Sequence, residues 1–403
     1  MNLRIPLAKP EITDADRDAV MEVLHTPHLS MGPKLHEFEQ AICKYTASKH
    51  AIAVNSGTSA LQLAVRALGI ERGAEVILPS FGFAALLNVV LQEGLRPRFV
   101  DIDPATFNTT PELVAAAISS KTRLVLAVHT FGIPVDVKRI GQVVKASAAR
   151  RSRRAIHVIE DACEALGTEV KGQKAGTLGE AGLFAFYPNK QITAGEGGVL
   201  VTAKKQIVAM AERLRNQGRD SARELNRHME AGFSYRLSDI NCALGVSQLA
   251  RIEIVIARRQ QLAGTYDRAL ARIAEVVRPP LVSPIGRISW FVYPVLLTPE
   301  FSSKHRNQVC EALLKKGIAT ARYFAPLHRQ PVLRKFAFAT SKYRLPQTEA
   351  VADRVIALPF FNTLTEAQIQ EVAGALEESI REVRRKMKSK LPCQGRRRMD
   401  PSA

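Results

Sequence analysis

Over its first 250 residues the chain alternates short apolar runs with amphipathic segments of helical period. Residues 51–54 read as a strand, and residues 59–68 place Leu, Val and Ala at helical spacing. Residues 75–78 form a short apolar run stopped by Pro79, and residues 83–92 read as a second helix. A strand over 98–102 follows, then a helix opened by Pro111, where a missing N–H costs nothing. Residues 122–128 are apolar almost throughout, as a strand covered on both faces requires. A helix over 137–150 and a strand over 155–160 complete the series. Strands separated by helices of this length predict βαβ units: a mostly parallel sheet flanked by helices, in the α/β class.

Beyond Gln248 the pattern changes. Residues 249–270 read as one long helix rich in Arg and Gln, and residues 288–380 as a second, smaller αβ unit. That unit ends in a helix over 365–385, begun by the cap-like Thr365-Glu-Ala-Gln368. The expected organisation is a large domain over 1–250, a small domain over 251–380 and a flexible basic tail over 381–403.

Composition alters this picture little. With 403 residues, 46% of them hydrophobic, the chain is long enough for two cores. It has no apolar run long enough for a membrane span and no apolar leader, and its five cysteines are scattered without metal-like spacing. A cytoplasmic protein without metal or membrane is expected. The charge of +19 is concentrated: residues 381–403 carry nine basic residues against Glu382 and Asp400, and Arg150, Arg151, Arg153 and Arg154 add a second cluster. Such clusters suit a polyanion or a solvated face equally. With no nucleic-acid-binding motif beside them, nucleic acid is not the expected partner.

Three segments carry candidate chemistry. Asn55-Ser-Gly-Thr-Ser59 joins a strand to a helix, so free N–H groups and the helix dipole suit a phosphate, with Thr58 and Ser59 adding hydroxyls; an ordinary N-cap uses the same residues. Asp161 ends the strand over 155–160, where a carboxylate can pair with a protonated ring nitrogen or serve a turn. Lys190 follows a short aromatic strand and precedes a glycine-rich stretch, and a sheltered lysine amine can form a Schiff base. Each is ambiguous alone. Their order, each beside a strand, points to one site at the sheet's carboxyl edge.

From Ile5 to about Leu376 these segments resemble the DegT/DnrJ/EryC1/StrS family of nucleotide-sugar aminotransferases, on the fold type I scaffold of pyridoxal-phosphate enzymes. The resemblance runs through Leu29-Ser-Met-Gly-Pro33, Pro79-Ser-Phe-Gly-Phe83, Val128-His-Thr-Phe-Gly-Ile-Pro134, Glu160-Asp-Ala-Cys-Glu-Ala165 and Tyr235-Arg-Leu-Ser-Asp-Ile240. Pro326-Leu-His328 and Leu358-Pro-Phe-Phe361 extend it into the small domain. It implies that Lys190 carries pyridoxal 5'-phosphate, Asp161 meets its ring nitrogen, Phe83 stacks on the ring, and Gly57 and Thr58 hold the phosphate. Glu164 stands near the ring hydroxyl where relatives usually have Gln or His, and Ala185 replaces a phosphate-binding serine. Arg236 lies in a stretch that relatives lend to a partner's site, which implies a homodimer with shared active sites. Gly32, Arg322, Tyr323 and His328 are candidates for substrate contact. The implied reaction is transamination of a nucleotide-linked keto-sugar with glutamate as donor. The alternatives are a sugar dehydrase, whose relatives carry histidine at the lysine position, and a regulatory relative without turnover.

Overall fold

The computed structural model describes residues 3–148, 154–220, 227–336 and 343–388. The first half contributes strands β1 (His50–Val54), β2 (Glu75–Pro79), β3 (Arg96–Val100), β4 (Thr122–Val128) and β5 (His157–Asp161). A two-residue hairpin, β6 (Glu169–Val170) and β7 (Gln173–Lys174), precedes β8 (Ala181–Ala185) and β9 (Gly198–Thr202). Seven of these strands make one sheet in the order β1-β9-β8-β5-β4-β2-β3, with β9 antiparallel to both neighbours and every other pairing parallel.

The helices between them are α1 (Asp14–Leu24), α2 (Pro33–Thr46), α3 (Gly57–Ala67), α4 (Ala84–Gln92), α5 (Pro111–Ala117), α6 (Val137–Ser147) and α7 (Lys205–Arg215). One face of the sheet buries Leu61, Leu63, Leu87, Val90 and Leu126 in a single cluster, and the other buries Ile77, Val125, Val137 and Ile140. This fits the unbroken apolar character of β4, which lies mid-sheet.

Two boundaries differ from expectation for identifiable reasons. The strand expected at 98–102 begins and ends two residues earlier, at β3. Pro97 is tolerated inside it because β3 is an edge strand with one partner. Asp101 then leaves the ladder to accept hydrogen bonds from the N–H groups of Ile102, Gln347 and Thr348. The long helix expected at 249–270 is two, α8 (Asp239–Ala250) and α9 (Ile252–Leu270), which meet at 62°. At the corner, Arg251 donates to Glu11 O and to the fully buried Asp16 carboxylate.

The C-terminal unit is a three-stranded antiparallel sheet, β10 (Val276–Val277), β11 (Tyr293–Leu297) and β12 (Val355–Leu358). Helices α10 (Ser303–Lys315), α11 (Pro346–Arg354) and α12 (Glu366–Lys388) accompany it, and α12 packs on α9 and α10. Because α12 runs to Lys388, the boundary expected at 381 falls inside a helix. The rest of the basic tail, and most of the cluster at 150–154, lie outside the described residues. No single helix among the described residues is long and apolar enough to cross a membrane.

One buried hydrogen-bonded pair, Glu160 and His129, ties the central strands to the loop after β7. Glu160 accepts from the N–H groups of Gly176 (2.8 Å), Leu178 (2.5 Å) and Gly179 (2.6 Å) and lies 3.1 Å from His129 Nε2. Both side chains are fully buried. His129 Nδ1 accepts from Val135 N–H, so Nε2 carries the proton and donates. Glu160→Ala would leave these donors buried without an acceptor and should cost about 3–5 kcal/mol. A denaturant midpoint within error of the parent would contradict this.

Candidate active site

Five strands deliver their C-terminal ends to one cavity of about 400 Å³. From β1 come Ser56, Gly57 and Thr58; from β2, Gly82 and Phe83; from β4, Val128 and Thr130. β5 supplies Asp161, Cys163 and Glu164, and β8 supplies Ala185, Tyr187, Asn189 and Lys190. The C-terminal half closes the cavity with Phe291, Tyr323 and Phe324.

The turn after β1 is a capped helix start. Ser56 Oγ accepts from Ser59 N–H at 3.1 Å, and the Ser59 hydroxyl donates to Asn55 Oδ1 at 2.7 Å. Ser59 is therefore buried and engaged in the cap, not the free hydroxyl donor expected from the sequence. Thr58 is exposed toward the cavity. At Gly57 an added Cβ would lie 2.9 Å from Ala185 Cβ and 2.9 Å from Cys163 Sγ, so only glycine keeps this wall closed. The start of α3 thus meets the cavity as bare backbone, with its N–H groups and positive dipole end available to an anion.

Asp161 is the last residue of β5. Its Oδ1 accepts from Cys163 N–H at 3.0 Å, holding the turn, while the residue also lines the cavity. Glu164 Oε2 accepts from Phe131 N–H at 2.8 Å, and its Oε1 lies 3.9 Å from Lys190 Nζ. Burial pushes the Glu164 carboxyl above the usual range, although Lys190 and the Phe131 N–H pull the other way. Lys190 Nζ also sits 4.1 Å from the centre of the Phe291 ring, a cation–π distance, and its side chain is only 14% exposed. Among the described residues lining the cavity, Lys190 is the only cation.

Two buried polar atoms in the wall, Thr130 Oγ1 and Asn189 Oδ1, have no hydrogen-bond partner among the described residues. Together with the bare start of α3, they mark the cavity as shaped for a polar group that the chain does not itself supply. Phe83, 62% exposed, stands at the mouth as the residue before α4, edge-on to Phe324 at 6.5 Å. These features fit a flat aromatic ring with a phosphate.

The structure brings Gly57, Thr58, Phe83, Asp161, Glu164, Lys190 and Tyr323 together. Four other expected residues lie outside the cavity lining. Gly32 precedes α2, and its N–H donates to Asp239 Oδ1 at 2.8 Å. Arg322 is held by Asn307 Oδ1 at 3.1 Å. His328 is wedged between Ser80 Oγ (2.6 Å) and Glu349 Oε1 (3.1 Å), with both ring nitrogens engaged in bracing. Arg236 donates to Asn216 Oδ1 at 3.0 Å. Thr130, Tyr187 and Asn189 were not singled out from the sequence, although they sit inside the segments around Val128 and Lys190. Phe291 had no local motif to reveal it.

The sequence pattern of the DegT/DnrJ/EryC1/StrS aminotransferase family matches residues 10–377. The chain is 37% identical over 376 residues to GDP-perosamine synthase of Caulobacter vibrioides, covering 93% of this chain and 98% of that protein. Among solved structures, the putative sugar aminotransferase Spr1654 from Streptococcus pneumoniae in its PMP form superposes with a TM-score of 0.89 at 26% identity, over 96% of this chain and 100% of that one. Helicobacter pylori PseC, an aminotransferase involved in the biosynthesis of pseudoaminic acid, gives 0.86 at 26% identity, over 94% and 99%.

Proposed function

Since the chain belongs to the DegT/DnrJ/EryC1/StrS aminotransferase family and is a pyridoxal-phosphate-dependent sugar aminotransferase, we propose that it aminates a nucleotide-linked keto-sugar with glutamate as donor, in the cytoplasm. The observation that carries this reading is Lys190: one sheltered amine, between Glu164 and Phe291, in a cavity that also holds Asp161. The relative named for a GDP-linked product, matched along nearly its whole length, supports the nucleotide-linked substrate.

The residues take these roles. Gly57, Thr58 and the N–H groups at the start of α3 hold the phosphate by dipole and hydrogen bonds. Phe83 offers its ring face as a platform. Pyridoxal phosphate, when bound, supplies the electron sink that makes the proton beside the transferred nitrogen acidic. Asp161 keeps the ring nitrogen protonated through its fixed negative charge. Lys190 would bond the cofactor and, with its amine free, would take and return the proton beside the transferred nitrogen as base and acid. Glu164 faces Lys190 Nζ and keeps a carboxyl at hand for that proton. The aromatic wall of Phe291, Tyr323 and Phe324 excludes water from the step.

Glutamate and a nucleotide diphosphate bring several negative charges to a cavity with one cation. In a homodimer Arg236 would be lent across the interface to answer this, beside a face on which Leu29 and Met31 are exposed. The lysine at position 190 sets this reading above the dehydrase one, which calls for histidine there.

Purified protein offered glutamate and a panel of nucleotide-linked keto-sugars should yield an amino sugar, seen as the mass change from keto to amino. Amination of free keto-sugars alone, or loss of oxygen without gain of nitrogen, would overturn the proposal.

A further inference from the structure

Against the Lys190 segment, a short stretch of the C-terminal unit crosses the large domain and reaches the cavity through Phe291. Ser289 N–H donates to Gly132 O at 3.3 Å and Phe291 N–H to Phe131 O at 3.2 Å, so residues 289–291 lie as a strap against 131–132. Gly132 has φ +85°, and a Cβ there would come within 1.8 Å of Ser289 O, so the approach depends on glycine. The strap delivers the Phe291 ring to Lys190 Nζ.

Two side chains fasten the strap to the Lys190 segment. Gln191 Nε2 donates to Glu164 O at 2.7 Å and to Ser289 O at 3.0 Å. Arg259, from α9, spreads its guanidinium over four acceptors. Nη1 donates to Phe291 O (3.0 Å) and Trp290 O (3.2 Å), Nε to Asn362 Oδ1 (2.9 Å) and Nη2 to Lys190 O (3.4 Å).

Arg259 is 3% exposed and has no carboxylate within ion-pair distance among the described residues. Burial lowers it to about 10, so it remains charged at neutral pH. A buried charge met by neutral carbonyl oxygens and the Phe360 ring (5.4 Å), with no carboxylate paired to it among the described residues, is a poor choice for stability, since apolar groups commonly replace buried ions without loss. What a planar fork does and an apolar side chain cannot is hold several carbonyls in fixed directions at once.

We infer that Arg259 is a positioning residue for the amino-transfer reaction, clamping the backbone of Lys190 and the strap that carries Phe291 into one rigid unit. The inference rests on Lys190 being the cofactor lysine. During turnover the Lys190 amine must leave the cofactor, act on a proton and return. A long, freely rotating side chain does this reproducibly only if its backbone anchor and the ring above Nζ keep fixed places. The clamp supplies both, and Arg259 itself is not among the residues lining the cavity.

The test compares Arg259→Met and Arg259→Lys with the parent as cofactor-loaded protein, reading kcat, KM for the sugar, thermal midpoint and the visible circular dichroism of the lysine-bound cofactor. Arg259→Met should lower kcat by about 10- to 100-fold, leave KM for the sugar within about threefold, and change the visible dichroism, because a small displacement of the reacting group has costs of that order. Arg259→Lys keeps the charge without the fork and should recover only part of kcat. A methionine variant with a lowered thermal midpoint but parental kcat and dichroism would reduce Arg259 to a structural brace and overturn the inference. Should the methionine variant fail to fold, parental kcat and dichroism in the lysine variant would overturn it equally. Retention of the lysine-bound spectrum by Lys190→Ala would instead refute the reading of the site itself.

Discussion

Lys190→Ala should abolish both the visible absorbance of the lysine-bound cofactor and amino transfer from glutamate. No other residue can take over, because Lys190 is the only amine among the described residues lining the cavity. The change removes the group that bonds the cofactor and the group that moves the proton, and a general acid–base group alone is worth about 10²–10⁴-fold. The loss should therefore exceed about 10⁴-fold in kcat. Cofactor added to the variant should still bind, with a spectrum like that of the free aldehyde, because the start of α3, Phe83 and Asp161 are untouched. The fold should persist as well: the Lys190 side chain makes no hydrogen bond to the described residues, and its backbone N–H and O are held by Tyr187 O and Arg259. Turnover within tenfold of the parent would remove Lys190 from the chemistry.

Asp161→Asn separates charge from shape. Asparagine can still accept the 3.0 Å bond from Cys163 N–H, so the turn after β5 should hold and thermal stability should change little. What disappears is the negative charge proposed to keep the cofactor's ring nitrogen protonated. Loss of one preorganised electrostatic group commonly lowers kcat by about 10²–10³-fold, and a fall of that size is expected here, smaller than for Lys190→Ala. A second sign should accompany it. Asp161 is one of the groups that raise the Glu164 carboxyl, so its neutralisation should let Glu164 ionise at lower pH. If Asp161→Asn keeps parental kcat while Asp161→Ala unfolds, the carboxylate is a turn residue only.

Much of the cavity could be read from the sequence because its residues are local to strand ends. Asn55-Ser-Gly-Thr-Ser59 follows β1 directly, Asp161 ends β5 and Lys190 stands a short way beyond β8, so placing the strands placed them. The parallel order carried them to one edge without any knowledge of the crossovers. What escaped came from elsewhere. Phe291 approaches from the C-terminal unit and is seated by Phe131 O, far away in sequence, beside the glycine at 132 that admits Ser289. Arg259 sits in a helix whose many Arg and Gln residues look like a solvated face, yet its head is enclosed by Trp290, Phe291 and Asn362. The corner at Arg251 showed in the sequence only as the change of pattern beyond Gln248; what holds the break, Glu11 and Asp16 from the N-terminus, did not. Ser59 misled in the opposite sense: its hydroxyl was free on paper and is taken by Asn55 in the fold.

The strap also sets a limit on how this enzyme can be recombined. A chimera that grafted the C-terminal unit of a relative at the end of α8, to import its sugar preference, would bring in a foreign segment at 289–291 and a foreign residue at 259. The host would still present Gly132 and Gln191, cut to fit the original strap within hydrogen-bond distance. Material exchanged between such enzymes therefore has a functional seam different from its visible one. Residues 130–132 and 190–191 travel with the C-terminal unit, although the chain places them in the first.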